Sequence, residues 1–288
     1  MKDFSYICAH SLDEAVALLN APGLRSRVLA GGTDLMVQAR SGGVDFDRVV
    51  DVTRVPELKR IEVNGRATIG AAVTFTKLIE SPLVQAAAPL LVQACRQIGS
   101  PQIRNAATLG GNVANAAACA DSVPALVCLG AEAVIVSAAG ESRCAVSDLI
   151  TGTHRTQLAP GALIRAFAFD PPPPGSRTWF ERIGRRQAMA IARLSVAALG
   201  GCGADGKIAQ LRLVVGAAFA RYRRASAVED WLLGQAPSAD VITEAGRRMG
   251  ELYAAESGRR WSAEWKVPAL RAVTERALRQ VVGGGDEA

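Results

Sequence analysis

Histidine is nearly absent from this chain: His10 and His154 are the only two in 288 residues, too far apart in sequence to suggest a ligand pair. Ser122 and Ser195 lack the surroundings of a nucleophile elbow, and no paired carboxylates stand out, so neither a hydrolytic triad nor an acid–base dyad is expected. Six cysteines (Cys8, Cys95, Cys119, Cys128, Cys144, Cys202) are scattered without a C-x-x-C pair. That spacing argues against an iron–sulfur cluster or a metal site and for buried thiols in a reducing compartment. Aromatics make up only 5 % of the residues. The densest basic runs, Arg182 to Arg193 and Arg221 to Arg224, therefore lack the interleaved stacking rings of a nucleic-acid surface, and a solvated or subunit-facing basic face is expected. No stretch approaches the ~20 apolar residues of a membrane span. The start, MKDFSYICAHSLDEAVALL, has no apolar core or cleavage site of a signal peptide, so the expected location is the cytoplasm.

Apolar residues are 49 % of the chain, rich in Ala, Val and Leu, which predicts cores of small aliphatic side chains. The length predicts two or three domains or subdomains. Three divisions are expected, at 1–55, 56–170 and 176–282, with Pro171-Pro172-Pro173-Pro174-Gly175 as a stiff connector before the last. In the first, strands at Phe4–Ile7, Arg27–Ala30 and Arg48–Val52 alternate with helices from Ser11 and from Leu35, a small β-α-β-α-β unit. Ser11 with Glu14 forms a capping-box pattern. In the second, Asn64-Gly65 predicts a hairpin between strands near 58–63 and 67–71. Further strands are predicted at Glu132–Ser137, Glu141–Val146 and Ala162–Phe169. Gly99 to Asn105 reads as a loop. In the third, strands at Trp179–Ile183, Ser195–Gly201 and Lys207–Ala218 suit a three-stranded antiparallel sheet. Helices follow at Ala225–Leu233, Ala239–Ala255 and Pro268–Val282, and Gly283–Ala288 reads as a disordered tail.

Two glycine pairs stand out. In Leu29-Ala30-Gly31-Gly32-Thr33-Asp34-Leu35 an apolar strand meets two glycines, two short polar residues and an amphipathic stretch. Glycines at such a turn let backbone N–H groups approach a phosphate closely. Thr33-Asp34 would equally cap the following helix with no ligand present. Ala107-Thr108-Leu109-Gly110-Gly111-Asn112-Val113 repeats the chemistry, and Asp121-Ser122-Val123-Pro124 follows. Two such loops could clasp the pyrophosphate and sugar hydroxyls of a dinucleotide. Asp121 reads both as a helix N-cap and as a ligand. The G-x-G-x-x-G spacing of a Rossmann site is missing.

The set AGGTDL (30–35), IGAAVT (69–74), SPQIRNAATLGGNVANA (100–116), ADSVPAL (120–126) and RRQAMAIARLSVAA (185–198) resembles the FAD-binding middle subunit of the molybdenum hydroxylases. That group includes the flavoproteins of xanthine dehydrogenase and carbon monoxide dehydrogenase type. The resemblance implies an α+β fold: a two-part FAD-binding region (the small β-α-β unit plus a larger α+β subdomain) followed by the sheet-and-helix domain. It implies FAD as cofactor. By motif, Leu29, Ala30, Gly31, Gly32, Thr33, Asp34 and Leu35 would hold the pyrophosphate on backbone N–H groups. Thr108, Gly110, Gly111 and Asn112 would grip it from the other side, and Asp121 would accept a bond from a cofactor hydroxyl. Ile98 stands where some relatives place an aromatic beside the flavin, Ile164 would contact the ring, and Arg182 matches a basic position near its edge. The implied partners are a large subunit carrying the molybdenum cofactor and a small one carrying two [2Fe–2S] clusters, with NAD, a quinone or oxygen as acceptor. Two other readings stay open. One is a self-contained flavin oxidase, which would need a general base that is not visible. The other is a non-redox module that binds a nucleotide at the glycine loops.

Overall fold

The computed structural model describes residues 3–186, 189–257 and 262–283. Residues 284–288 of the expected disordered tail, and Gln187 and Ala188 of the motif at 185–198, lie outside the described residues. The fold is α+β, and the chain divides into two units. The first holds Met1–Ala87, Ile98–Ala117 and Gly130–Pro171; the second holds Ala88–Gln97, Ala118–Leu129 and Pro172–Ala288.

The first unit opens with a parallel sheet in which Arg48–Asp51 lies between Ser5–Cys8 and Ser26–Leu29. Its crossover helix Leu12–Leu19 starts where expected: Ser11 accepts the Glu14 N–H at 3.1 Å, and Glu14 reaches back to the His10 N–H at 2.7 Å. Ala15 and Leu19 on one face of that helix pack with Val50, Val52 and Val55, the helical period meeting the strand period in one core. A five-stranded antiparallel sheet follows in the order Ile61–Asn64, Arg66–Gly70, Leu163–Phe169, Glu132–Ser137, Gly140–Ala145. Its first hairpin turns at Asn64-Gly65 with Gly65 at φ 76°.

The second unit is built on an antiparallel sheet of Arg177–Ile183, Leu194–Cys202 and Ile208–Gly216. Helices Ala239–Ser257 and Ala263–Val281 bury Ala245, Met249, Tyr253, Leu270, Val273 and Leu278 in its core. Two helices from before the proline run also belong to this unit, Pro89–Arg96 and Ser122–Leu129. All eight residues of Ser122–Leu129 are buried. From Pro89–Arg96 and its end, Gln93 and Gln97 donate side-chain amides to the carbonyls of Thr178 (3.2 Å) and Phe180 (3.3 Å) on the edge strand. One helical turn separates the two glutamines and two residues separate the carbonyls, so the pair occupies the open edge in place of a strand.

Three expectations are corrected. The stretch after Gly99 is not a loop but a helix, Pro101–Ala106, because Ser100 accepts the Ile103 N–H at 3.3 Å and Pro101 suits the first helical position. The second glycine pair lies inside the first turn of another helix, Leu109–Asn115. The last helix begins at Ala263, so Pro268 is within it rather than at its start. The bond lost there is to a carbonyl of the opening turn, which limits the disruption to one end.

Candidate functional site

The strand Ser26–Leu29 runs out at Ala30, and the chain turns through Gly31 and Gly32 into the helix Leu35–Arg40. Gly31 lies against the backbone of the second motif. A Cβ there would stand 2.0 Å from the Ala106 carbonyl oxygen and 2.8 Å from Ala107 Cα. Gly32 holds the turn at φ 68°, a conformation glycine adopts without strain. Asp34 occupies the N-cap position but makes no side-chain bond to the helix, so the expected capping by Asp34 is not found. Its α-region backbone (φ −105°, ψ −49°) departs from the extended conformation a capping side chain needs. Leu29, Ala30, Gly31, Gly32, Thr33 and Leu35 are half-buried and Asp34 is exposed.

In the second motif Thr108 caps the helix Leu109–Asn115 and accepts the Gly111 N–H at 3.1 Å. The Gly110 N–H is donated to Ala71 O at 2.8 Å, and that of Asn112 to Thr108 O at 3.0 Å. Gly110 is a packing residue, since a Cβ would stand 2.6 Å from Ala71 Cβ. These backbone donors therefore serve the fold, and the motif's accessible part is the helix surface at exposed Gly111 and half-buried Asn112. Gln38 of the helix Leu35–Arg40 donates to Asn115 Oδ1 at 3.1 Å, tying the two motifs together. His154 fixes the far end of the glycine helix, its Nδ1 meeting Asn115 O at 2.9 Å. Ile98 is half-buried with its carbonyl accepting from Arg104 (2.8 Å), while Ile164 is buried beside the bulge in Leu163–Phe169.

In the second unit Asp121 and Arg182 form an ion pair that sequence reasoning did not join. Arg182 Nη1 donates to Asp121 Oδ2 at 3.1 Å and to Ala190 O at 3.0 Å, and the two side chains are 5 % and 6 % exposed. Asp121 Oδ1 is buried without a hydrogen-bond partner. Oδ2 is engaged by Arg182, and Oδ1 makes no bond to the helix Ser122–Leu129. Tyr222, which the sequence did not single out, accepts the Ala120 N–H at 3.1 Å and donates back to Ala120 O at 3.4 Å. The available signal was a lone carboxylate in the apolar run ACADSVPALV, which demands a basic partner elsewhere.

Burial raises the Asp121 carboxyl from its ordinary 3.8 to about 6, outweighing the lowering by Arg182. Between those values the folded state holds a proton that the unfolded chain has released, so this group's contribution to stability falls as pH rises through the interval. Relative to Asp121→Asn, the parent is expected to lose stability between pH 4 and pH 6, read from urea unfolding at each end. Parallel pH profiles for the two proteins would contradict this.

Among the described residues no group of three or more His, Cys, Asp or Glu could hold a metal ion, and no helix is long and apolar enough to cross a membrane. The six cysteines form no disulfide.

Residues 2–170 match the family described as FAD binding domain in molybdopterin dehydrogenase, and residues 179–281 match the CO dehydrogenase flavoprotein C-terminal domain. The xanthine dehydrogenase FAD-binding subunit of Escherichia coli O157:H7 is 31 % identical, covering 98 % of this chain and 97 % of that protein. The glyceraldehyde dehydrogenase medium chain of Sulfolobus acidocaldarius is 27 % identical over 97 % of this chain and 98 % of its own. Among solved structures, carbon monoxide dehydrogenase from Hydrogenophaga pseudoflava superposes with a TM-score of 0.90 at 27 % identity, covering 97 % of both chains.

Proposed function

Since the chain belongs to the family of FAD-binding subunits of molybdopterin dehydrogenases, we propose that it is the electron-transfer flavoprotein of a heteromeric hydroxylase. The cofactor is FAD, and the chain is an oxidoreductase subunit. In this reading a large subunit carries the molybdenum cofactor and hydroxylates the substrate, and a small subunit carries [2Fe–2S] clusters. The observation that carries it is the full-length match to a medium chain and an FAD-binding subunit, names that imply companion subunits.

The residues present fit FAD. The turn from Leu29 to Leu35 is half-open, is not capped by Asp34, and has glycine where a Cβ would strike the Ala106 backbone (Gly31) and where the chain is left-handed (Gly32, φ 68°). In this reading it takes the pyrophosphate on its backbone N–H groups. Gly111 and Asn112 contribute the accessible surface of the second motif, while Thr108 and Gly110 hold that helix in place. Asp121 Oδ1, buried and unpartnered, has the character of an acceptor awaiting a hydroxyl donor. Ile98, Ile164 and Arg182 complete the proposed set beside the ring. When bound, the flavin accepts electrons from the iron–sulfur partner and passes them to NAD, a quinone or another acceptor.

Gly32→Asp is expected to abolish FAD binding with little loss of fold. The new carboxylate stands beside the pyrophosphate, while its Cβ would meet only Leu29 Cδ1 and Met36 Cγ, at 3.3 and 3.4 Å. Circular dichroism should stay near the parent's as the flavin absorbance disappears; a stoichiometrically yellow variant would remove the first loop from the phosphate site. Isolation of the native complex, with identification of its chains and cofactors, tests the wider reading. A chain that purifies alone and turns over a small substrate through its own flavin would instead be a self-contained oxidase.

A further inference from the structure

Asp121 is held from two directions, by Arg182 at its carboxylate and by Tyr222 at the preceding peptide. We propose that Arg182 and Tyr222 are positioning residues for the cofactor site: Arg182 fixes one carboxylate oxygen of Asp121, Tyr222 fixes the peptide preceding it, and together they present the other oxygen, Oδ1, to a hydroxyl of FAD. The inference rests on the reading of Asp121 as a cofactor ligand.

The geometry divides the work. Arg182 lies on the strand Arg177–Ile183, and its Nη1 bridges Asp121 Oδ2 and the Ala190 carbonyl, so the guanidinium is anchored at a second point. A guanidinium held in this way engages Oδ2 alone and leaves Oδ1 for another donor. Tyr222 engages both polar groups of Ala120, N–H and carbonyl, so the backbone that delivers Asp121 has little rotational freedom. Burial raises the Tyr222 phenol and keeps it protonated, as the bond to Ala120 O requires. Around Asp121 the facing titratable or charged groups are Arg182 from the strand, Tyr222 from the segment after Ile208–Gly216, and Cys119 from its own segment. Arg182 alone among them favours the ionised carboxylate. An ionised acceptor binds a hydroxyl about twice as strongly as a neutral one, so Arg182 also keeps Asp121 in its better binding form.

The test is FAD titration into the full chain stripped of flavin, from pH 5 to pH 9, with melting curves of each apo variant. The parent should bind about ten-fold more weakly on the acid side of a step near pH 6. Asp121→Asn should hold the weaker affinity at every pH, without the step. Arg182→Gln should move the step alkaline by about one unit or more, since an adjacent opposite charge lowers a carboxyl by that much. Arg182→Lys should return it part of the way, and this variant decides the matter if Arg182→Gln does not fold. Tyr222→Phe should weaken binding a few-fold at all pH values with the step in place. A uniform loss in both Arg182 variants, with the step unmoved, overturns the positioning role and makes Arg182 a structural or direct contact. An Asp121→Asn protein that binds like the parent overturns instead the assignment of Asp121 as a ligand.

Discussion

Gly31→Ala is expected to strip FAD from the chain and to destabilise the first unit in one step. The added methyl would lie 2.0 Å from Ala106 O and 2.6 Å from its carbonyl carbon. Both are backbone atoms, so no rotamer change relieves the clash. Parting the two segments also disturbs their bonds, because Ala107 O accepts the Phe75 N–H (3.1 Å) and the Ala107 N–H is donated to Ile103 O (2.7 Å). Overpacking of this kind costs about 1–3 kcal/mol when side chains can yield, and backbone on backbone belongs at or above the top of that range. Gly32→Ala is the matched control. Its neighbours are mobile side-chain ends, and the main cost is a left-handed residue, about 1–2 kcal/mol. Melting temperature and bound flavin should both drop steeply for Gly31→Ala and mildly for Gly32→Ala. Equal effects of the two substitutions would remove the contact between the motifs as the feature that matters.

The second large effect concerns a fragment. A chain starting at Pro172 contains the whole match to the flavoprotein C-terminal domain, yet it should not fold as a stable unit. It lacks the helix Ser122–Leu129, in which Val123, Leu126, Val127 and Leu129 are all buried. Burying such a side chain is worth about 1.5–3 kcal/mol, so these residues together approach the entire stability of an ordinary domain. The fragment also loses the two-way tie between Cys128 and Arg212, in which Arg212 Nη1 donates to Cys128 O at 3.2 Å and Cys128 Sγ to Arg212 O at 3.5 Å. Without Gln93 and Gln97 the edge strand keeps its bare carbonyls. Calorimetry should show no cooperative transition, and sedimentation should show association. A monodisperse fragment with a sharp melt would show that the two earlier helices are dispensable.

What the sequence disclosed was mostly local. Asn64-Gly65 set a hairpin because glycine accepts the left-handed turn, and Gly65 lies at φ 76°. Ser11 and Glu14 marked a helix start because their chemistry is complete within four residues. Ser100-Pro101 carried both a turn signal and a helix-start signal, and the bond from the Ile103 N–H to Ser100 makes it the helix start. The Gly110-Gly111 pair looked like a loop because glycine disfavours helices; its reason for being there, the approach of Ala71, is 39 positions away in sequence (110 minus 71). The Asp121–Arg182 pair and the hold of Tyr222 on Ala120 are likewise contacts between distant segments, with no periodicity to announce them. The same holds for the helices at 89–96 and 122–129, which pack on sheet strands that come far later in the chain.

That last arrangement sets a schedule for synthesis. The helix Ser122–Leu129 leaves the ribosome about 90 residues ahead of the end of the sheet strand Ile208–Gly216 against which it packs. At roughly 5–20 residues per second, the gap lasts on the order of 5–20 s. For that interval a helix buried at every position in the finished protein has no sheet to cover it, and neighbouring nascent chains expose the same surface. Slowed translation across 130–216 should therefore raise the aggregated fraction of newly made chain without altering the stability of the molecules that finish folding.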